Sequence, residues 1–297
     1  MPSRSTMFTA PVERERIKRW RERFLERIPS PVEPHVVTTS FGDTSALVAG
    51  PADAPPLVVL HGALASAAHV LSELGPLLAH RRVYALDVIG QSAASADTRL
   101  PLDDASYGQW TAQACAGLGL SRFDLYGVSW GGFVALKAAT VAAARIRRLV
   151  LAVPAGIVNG MGWAAFRRVG WPILLYRLRP SSARLQAAVR YQFTTPEPMW
   201  TAFFGDALRS YRLDVRLPPL FTPADLESVR MPVLAFGAGR DLSFPGGPLL
   251  DRVRELLPQA ETELLADSMH CPPFTDDFRA GMARRILQFL DAPDAAG

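Results

Sequence analysis

The sequence of 297 residues has few of the features that mark a disulfide-bonded, metal-binding or membrane-spanning protein. Its two cysteines, Cys115 and Cys271, form neither a disulfide framework nor a CxxC pair, so we interpret them as small buried hydrophobic residues. Its longest apolar runs are far shorter than the roughly 20 residues that cross a bilayer. The first residues carry charges instead of the apolar core of a signal peptide. We therefore expect a cytoplasmic protein without a membrane span.

Lysine is also scarce. Lys18 and Lys137 are the only two, so arginine supplies nearly all of the 32 positive charges, and the 28 acidic residues leave a net charge of +4. Most arginines lie singly or near an acidic residue, whereas a nucleic-acid-binding protein clusters its positive charge. Hydrophobic residues make up 49% and charged residues 20%, as in an ordinary soluble globular protein. This composition excludes disordered, collagen-like and coiled-coil chains, and nucleic acid is not an expected partner.

Short apolar runs alternate with longer helical patterns along most of the chain. The predicted strands are residues 36–39, 45–48, 57–60, 83–86, 123–126, 148–152, 233–236 and 262–265. The predicted helices between them are residues 66–79, 107–118, 132–144, 248–257 and 277–290. Strands that alternate with helices favour a parallel sheet covered on both sides. We therefore predict an α/β fold, with a mostly parallel sheet of about eight strands and helices on both faces.

Two segments do not follow this alternation. Residues 1–34 carry Ile17, Trp20, Phe24 and Ile28 at helical spacing, which predicts an amphipathic helix that packs on the domain. A membrane, partner or homodimer contact for this helix stays open. Residues 155–222 are rich in aromatic residues and prolines without a strand pattern, which predicts a helical cap inserted in the chain. The core is then residues 35–154 and 223–291, with a short tail at 292–297.

The strongest chemical signal is Gly127-Val128-Ser129-Trp130-Gly131, which fits the G-x-S-x-G pattern between a predicted strand and a predicted helix. A serine nucleophile on such a tight turn exposes its hydroxyl to the substrate. Side chains two residues before and after it would collide, so Gly127 and Gly131 suit their positions. The alternative is a glycine-rich turn with an inert serine, which this context disfavours.

Ser129 needs a base, because a free hydroxyl is a weak nucleophile near neutral pH. Of the five histidines, His270 follows the last predicted strand and precedes the last helix, where the carboxyl edge of the sheet would place it. Asp241, which follows the strand at 233–236, is the predicted acid that orients this imidazole, in the chain order serine, acid, histidine. The alternatives are a surface loop for His270 and a helix-capping role for Asp241.

Acyl transfer also needs two backbone donors for the oxyanion. Trp130 follows the nucleophile and Ala63 lies in the loop after the third strand, so their N–H groups are the candidates. His61 and Gly62 are expected to shape that loop.

Other motifs fail. Gly237-Ala238-Gly239 lacks the third glycine of a dinucleotide fingerprint, because Leu242 occupies its position. There is no P-loop and no His, Cys and carboxylate cluster with the spacing of a metal site, so no metal is predicted. Arginines of the cap, among them Arg167 and Arg168, indicate either an anionic substrate or, more commonly, a solvated face.

Taken together, the motifs resemble the α/β-hydrolase superfamily of serine hydrolases, and within it a bacterial group of carboxylesterases. The residues that carry the resemblance are Leu60-His61-Gly62, Asp87-Val88-Ile89-Gly90, the serine turn, Gly239-Arg240-Asp241 with Pro245, and His270. The resemblance implies hydrolysis of a small to medium carboxylic ester through an acyl-enzyme, without a cofactor. The aromatic cap predicts an apolar acyl or alcohol moiety.

The chain departs from many relatives in two loops that border the substrate pocket. Ser268-Met269 precede His270 where many relatives have a glycine, and Gly90-Gln91-Ser92 replaces a Gly-x-Gly-x-Ser turn. Serine at position 129 disfavours epoxide and carbon–halogen hydrolysis, which use an aspartate nucleophile. C–C bond hydrolysis, lactonase, aminopeptidase and cofactor-free perhydrolase activities stay open, as does a non-catalytic small-molecule binding protein on the same fold.

Overall fold

The computed structural model describes residues 7–160, 162–212, 214 and 216–293. The first six residues of the predicted lead-in and residues 294–297 of the predicted tail lie outside this part. Eight strands follow one another along the chain: β1 (Val32–Thr39), β2 (Gly42–Ala49), β3 (Pro56–Leu60), β4 (Arg82–Leu86), β5 (Phe123–Val128), β6 (Ile146–Ala152), β7 (Val233–Ala238) and β8 (Ala260–Leu265).

Ten helices accompany the strands in the described residues: α1 (Pro11–Leu25), α2 (Ala67–Glu73), α3 (Ser106–Gly117), α4 (Trp130–Val141), α5 (Trp163–Ala165), α6 (Trp171–Leu178), α7 (Ser182–Val189), α8 (Pro198–Ser210), α9 (Gly246–Leu256) and α10 (Asp276–Leu290). Short 3-10 turns cover Gly75–Ala79 and Ala143–Arg145, and a π turn covers Phe166–Gly170. Within the described residues, no helix is long and apolar enough to cross a membrane.

The strands form one sheet in the order β1-β2-β4-β3-β5-β6-β7-β8. β1 and β2 make an antiparallel hairpin, whose turn residue Gly42 has φ +118°, and β2 is antiparallel to β4. The other neighbouring pairs, from β4–β3 to β7–β8, are parallel. The predicted fold class is therefore confirmed.

The sheet separates two hydrophobic cores, because successive side chains of a strand point to opposite faces. In β3, Val58 and Leu60 join a core with residues of α3, α4 and α9. Leu57 and Val59 join the other core, with residues of α1, α2, α8 and α10. Both faces of this strand are thus covered, which explains its uninterrupted apolar sequence.

The insertion, defined here as residues 155–222, lies between β6 and β7 and contains α5 to α8. Its described residues include no strand, although two isolated bridges, Phe8–Tyr211 and Phe193–Cys271, tie it to the rest of the chain. Tyr176, Ala188 and Leu208 form a small hydrophobic core of its own.

Helix α1 lies between the core helix α2 and helix α8 of the insertion. Its apolar residues Ile17, Trp20 and Phe24 are buried, as their spacing predicts. Trp20 Nε1 donates a hydrogen bond of 2.8 Å to Asp206 of α8. The Phe24 ring stacks on His69 of α2, with ring centroids 4.0 Å apart. This helix therefore packs against its own chain and joins the insertion to the core.

Candidate active site

Ser129 lies on a strained turn between the end of β5 and the start of α4. Its backbone has φ 53° and ψ −115°, a conformation that costs about 1–3 kcal/mol outside glycine. Hydrogen bonds fix this turn, since Ser129 N–H donates to the Ala152 carbonyl (2.9 Å) and Ala155 N–H donates to the Ser129 carbonyl (3.0 Å). The neighbouring strand β6 thus holds the serine in place.

The two glycines of the turn sit where a side chain would not fit. A Cβ atom on Gly131 would lie 2.2 Å from the Leu60 carbonyl oxygen, and one on Gly127 would lie 2.4 Å from the Gly131 carbonyl oxygen. Both distances are well below any van der Waals contact. The close approach of β3, β5 and α4 at this point therefore requires glycine at both positions.

A chain of hydrogen bonds joins Ser129, His270 and Asp241. Ser129 Oγ lies 3.0 Å from Nε2 of His270, and Nδ1 of His270 lies 2.7 Å from Oδ2 of Asp241. His270 lies in the loop between β8 and α10, and Asp241 lies in the loop after β7. The carboxyl edge of the parallel sheet thus brings together three residues that the sequence separates by 29 and 141 positions.

The Asp241 carboxylate is buried and fixed in orientation. Its Oδ1 atom accepts hydrogen bonds from the N–H groups of Ser243 (2.7 Å) and Phe244 (3.1 Å), which leaves Oδ2 for the imidazole. Because Nδ1 of His270 faces a carboxylate, this nitrogen carries the ring proton and donates a hydrogen bond to Asp241. The lone pair of Nε2 is then directed at the Ser129 hydroxyl, which is the arrangement a general base needs.

Charge and burial act in opposite directions on His270. Burial lowers the pKa of this imidazole, but the charge of Asp241 and its hydrogen bond favour the protonated form, and the net effect raises the pKa above its ordinary value. A base with a raised pKa accepts a proton more readily, yet it stays neutral only at correspondingly higher pH.

The loop after β3 lies directly against Ser129. A Cβ atom on Gly62 would contact the Ser129 Cβ atom at 3.5 Å. His61 is buried, with Nδ1 2.7 Å from the Gly62 carbonyl and Nε2 accepting from Val88 N–H at 2.9 Å. Burial lowers its pKa despite the nearby Asp87, so the ring is neutral. His61 therefore holds the loop together and has no free nitrogen for proton transfer.

Asp87 fixes the far end of this loop, a role that motif reading did not assign. Its Oδ1 atom accepts from the N–H of Ala67, the first residue of α2, at 2.9 Å, and from Ser92 Oγ at 2.7 Å. The guanidinium of Arg21 in α1 lies 3.4 Å from Oδ2. The segment that carries Ala63 is thus held by His61 at one end and by Asp87 at the other.

The chain is similar to known proteins in sequence and in fold. Residues 55–180 match the family described as alpha/beta hydrolase fold. The chain has the α/β-hydrolase fold. The chain is 24% identical over 285 residues to the uncharacterized carboxylesterase nap of Bacillus subtilis, covering 86% of each chain. It is 25% identical over 280 residues to carboxylesterase YbfK of the same organism, covering 88% of this chain and 89% of that one. The crystal structure of naproxen esterase from B. subtilis superposes with a TM-score of 0.79 at 22% identity, over 93% of this chain and 98% of that one.

The insertion is hydrogen-bonded to the residues on both sides of His270, contacts that sequence reasoning missed. Thr194 Oγ1 accepts from Met269 N–H (2.8 Å) and donates to the Cys271 carbonyl (2.7 Å). Cys271 N–H donates in turn to the Gln192 carbonyl at 2.8 Å. The residues before and after His270 are therefore both bonded to the segment between α7 and α8.

The other notable residues lie outside this chain of hydrogen bonds. His69 lies within α2, and its buried ring packs against Phe24, Trp200 and Phe203. Its pKa is well below the ordinary value because of burial, with a smaller contribution from the nearby charge of Arg21. Cys115 is buried, as expected, whereas Cys271 is only partly so, and burial raises the pKa of both thiols to about 12. Neither thiol is therefore ionised near neutral pH.

Proposed function

We propose that the hydrolase cleaves small to medium carboxylic esters through an acyl-enzyme on Ser129. The observation that carries this proposal is the hydrogen-bonded series of Ser129, His270 and Asp241, with the serine on a strained strand-to-helix turn. The similarity to two proteins named as carboxylesterases supports an ester as the substrate.

In the first half of the reaction, Ser129 Oγ attacks the carbonyl carbon while His270 Nε2 takes its proton. Asp241 stabilises the imidazolium that forms, because its carboxylate lies 2.7 Å from Nδ1. The imidazolium then gives its proton to the leaving alkoxide, so that an alcohol departs and the acyl group stays on Ser129. In the second half, His270 takes a proton from water, the hydroxide attacks the acyl carbon, and Ser129 leaves with the proton.

The negative charge that develops on the carbonyl oxygen needs fixed donors. We assign this role to the backbone N–H groups of Ala63 and Trp130. Trp130 is the first residue of α4, so the positive end of the helix dipole lies beside the reacting carbon. The Ala63 loop lies against Ser129 through Gly62. Loss of one such donor typically costs about 2.7–4 kcal/mol of transition-state stabilisation.

We further assign the insertion the role of a cap over this site. Leu64, next to Ala63, packs against the small hydrophobic core of the insertion. The Gln192–Thr194 segment of the insertion bonds to the His270 loop. Apolar groups therefore lie beside the proposed oxyanion donors, which favours an ester with an apolar acyl or alcohol moiety.

The test is hydrolysis of p-nitrophenyl esters from acetate to decanoate by the wild type and by Ser129→Ala. We expect a chain-length optimum in the wild type and loss of nearly all turnover in the variant. Ser121→Ala is the matched control, because Ser121 is an exposed serine before β5 and should keep full activity. If Ser129→Ala kept most of the activity, the mechanism would be wrong. Turnover of lactones or vinylogous diketones but not of simple esters would overturn the assigned substrate class and leave the nucleophile in place.

A further inference from the structure

The first helical stretch of the insertion exposes an unusual number of large apolar side chains. Trp163 is 76% exposed and Leu178 is 69% exposed, and Phe166, Trp171 and Leu174 are exposed as well. Single exposed apolar residues are common on soluble proteins, but a contiguous set marks an interaction surface. We call these five residues the apolar stripe.

A π turn brings the five residues onto one side of the helix. α5, the π turn Phe166–Gly170 and α6 follow without a break, and the stripe residues are three, five, three and four positions apart. A π turn takes up one extra residue, so the interval of five acts as one of four. The effective steps of three and four residues are those of a single helix face. Stacking of Trp163 on Phe166, with centroids 5.7 Å apart, agrees with this alignment.

Proline explains why the π turn occurs at this point. Pro172, the second residue of α6, has no N–H for the carbonyl of Arg168, and its ring would clash with that carbonyl in a regular helix. The wider turn before it instead uses a bond from Trp171 N–H to the Phe166 carbonyl. The exposed stripe is thus encoded by the sequence and does not result from a frayed helix.

Positive charge accompanies the stripe. The sequence contains no aspartate or glutamate from residue 125 to residue 196, although this stretch includes six arginines of the insertion. Arg167, Arg168 and Arg190 border a groove of about 590 Å³ between the stripe helix and α7. The guanidinium groups of Arg168 and Arg190 lie 5.7 and 5.5 Å from the Tyr191 ring. Among the described residues, these three arginines make no ion pair with a carboxylate, so their charge is available to a ligand.

We propose that this face of the insertion docks on an anionic phospholipid bilayer, with the apolar stripe at the headgroup boundary and the arginines on lipid phosphates. Tryptophan, phenylalanine and leucine on one side of a helix and arginine beside them are the composition of an interfacial helix. The charge favours lipid over a second copy of the chain, because a symmetric dimer through this face would bring the same arginines together. This inference goes beyond the proposed function and does not depend on catalysis.

The test is co-sedimentation of the full chain with vesicles of ether-linked phosphatidylcholine, alone or with one third ether-linked phosphatidylglycerol. Ether lipids leave no ester to hydrolyse, so binding is measured apart from activity. We expect binding to the anionic vesicles alone, weakened by salt, with a blue shift of tryptophan fluorescence. Each arginine near an anionic surface contributes about a fivefold gain in affinity. Arg167→Gln/Arg168→Gln/Arg190→Gln should therefore weaken binding on the order of a hundredfold.

Matched variants make the test specific. Trp163→Gln/Trp171→Gln should abolish both the binding and the fluorescence shift. Arg19→Gln/Arg122→Gln/Arg230→Gln removes three exposed arginines elsewhere and should change the affinity far less. Absence of binding to anionic vesicles would overturn the proposal, as would equal losses in the two triple variants. Self-association lost in Trp163→Gln/Trp171→Gln, without vesicle binding, would overturn it in favour of a second copy.

Discussion

Thr194 offers the sharpest test of how the insertion supports the active site. Its hydroxyl bonds to the residues on both sides of His270, at 2.8 Å from Met269 N and 2.7 Å from the Cys271 carbonyl. Thr194→Val keeps the side-chain shape and removes both bonds. The Cys271 carbonyl retains the Thr194 N–H as a donor at 3.0 Å, so only the Met269 N–H loses its partner.

The size of the expected effect follows from the one N–H group, that of Met269, which loses its partner. A buried N–H without a partner costs about 1–3 kcal/mol. If the cost appears as displacement of the His270 loop, it lowers kcat, because the imidazole must stay aligned between Ser129 and Asp241. Expressed as a reduction in kcat, this cost corresponds to about fivefold to 150-fold. A weaker contact with Asp241 should also move the pKa of His270, and with it the acidic limb of the pH–rate profile, to lower pH.

The assay is kcat, KM and the pH profile for a p-nitrophenyl ester, with thermal unfolding measured in parallel. Thr194→Ser keeps the hydroxyl and should restore most of kcat. Thr140→Val is the matched control, because Thr140 Oγ1 bonds to the Lys137 carbonyl at the far end of α4. A Thr194→Val protein that is less stable but has the wild-type kcat and pH profile would refute the positioning role. Equal damage from valine and serine would refute it too.

Two further substitutions probe the charge and the packing around the site. Asp241→Asn removes the charge that raises the pKa of His270, so the acidic limb of the kcat/KM profile should move to lower pH. We also expect kcat to fall on the order of ten-thousandfold. An acidic limb that does not move would contradict the assignment of the raised pKa to Asp241. Phe24→Ala empties a fully buried site between α1, His69 and Trp200 and should cost about 3–5 kcal/mol of unfolding free energy. Val12→Ala, at a position 60% exposed on the same helix, should leave the unfolding midpoint nearly unchanged, and a similar loss in both variants would refute the packing argument.

Local patterns in the sequence predict the sheet and the residues of the candidate site. Inner strands such as β3 and β7 are apolar runs. The turn around Ser129 is a motif in which the glycines are needed for steric reasons. Asp241 and His270 follow from chain order, because loops after parallel strands meet at one edge of the sheet. The fold class was predictable for the same reason, and the structure brings the three predicted residues within hydrogen-bond distance of one another.

The contacts made by the insertion could not be predicted in this way. Thr194 is 77 positions from Cys271 and lies in no motif, so nothing near it in the sequence points to His270. The apolar stripe was hidden because its spacing is helical only after the π turn adds a residue. The arginines between residues 167 and 190 do not stand out in a sequence whose 32 positive charges are nearly balanced by 28 acidic residues. Their significance comes from the groove that assembles three of them.

The makeup of the charged face gives it an unusual independence from pH. Between residues 125 and 196 the chain has no aspartate, glutamate or histidine, so from pH 4 to 9 nothing with an ordinary pKa in that stretch titrates. Its guanidinium groups stay protonated throughout that range. Acidification that protonates His270 would stop its proposed action as a base, while the charge of the arginines between residues 167 and 190 would stay the same. The charge of this face and the proposed proton transfer at His270 therefore respond to acidity separately.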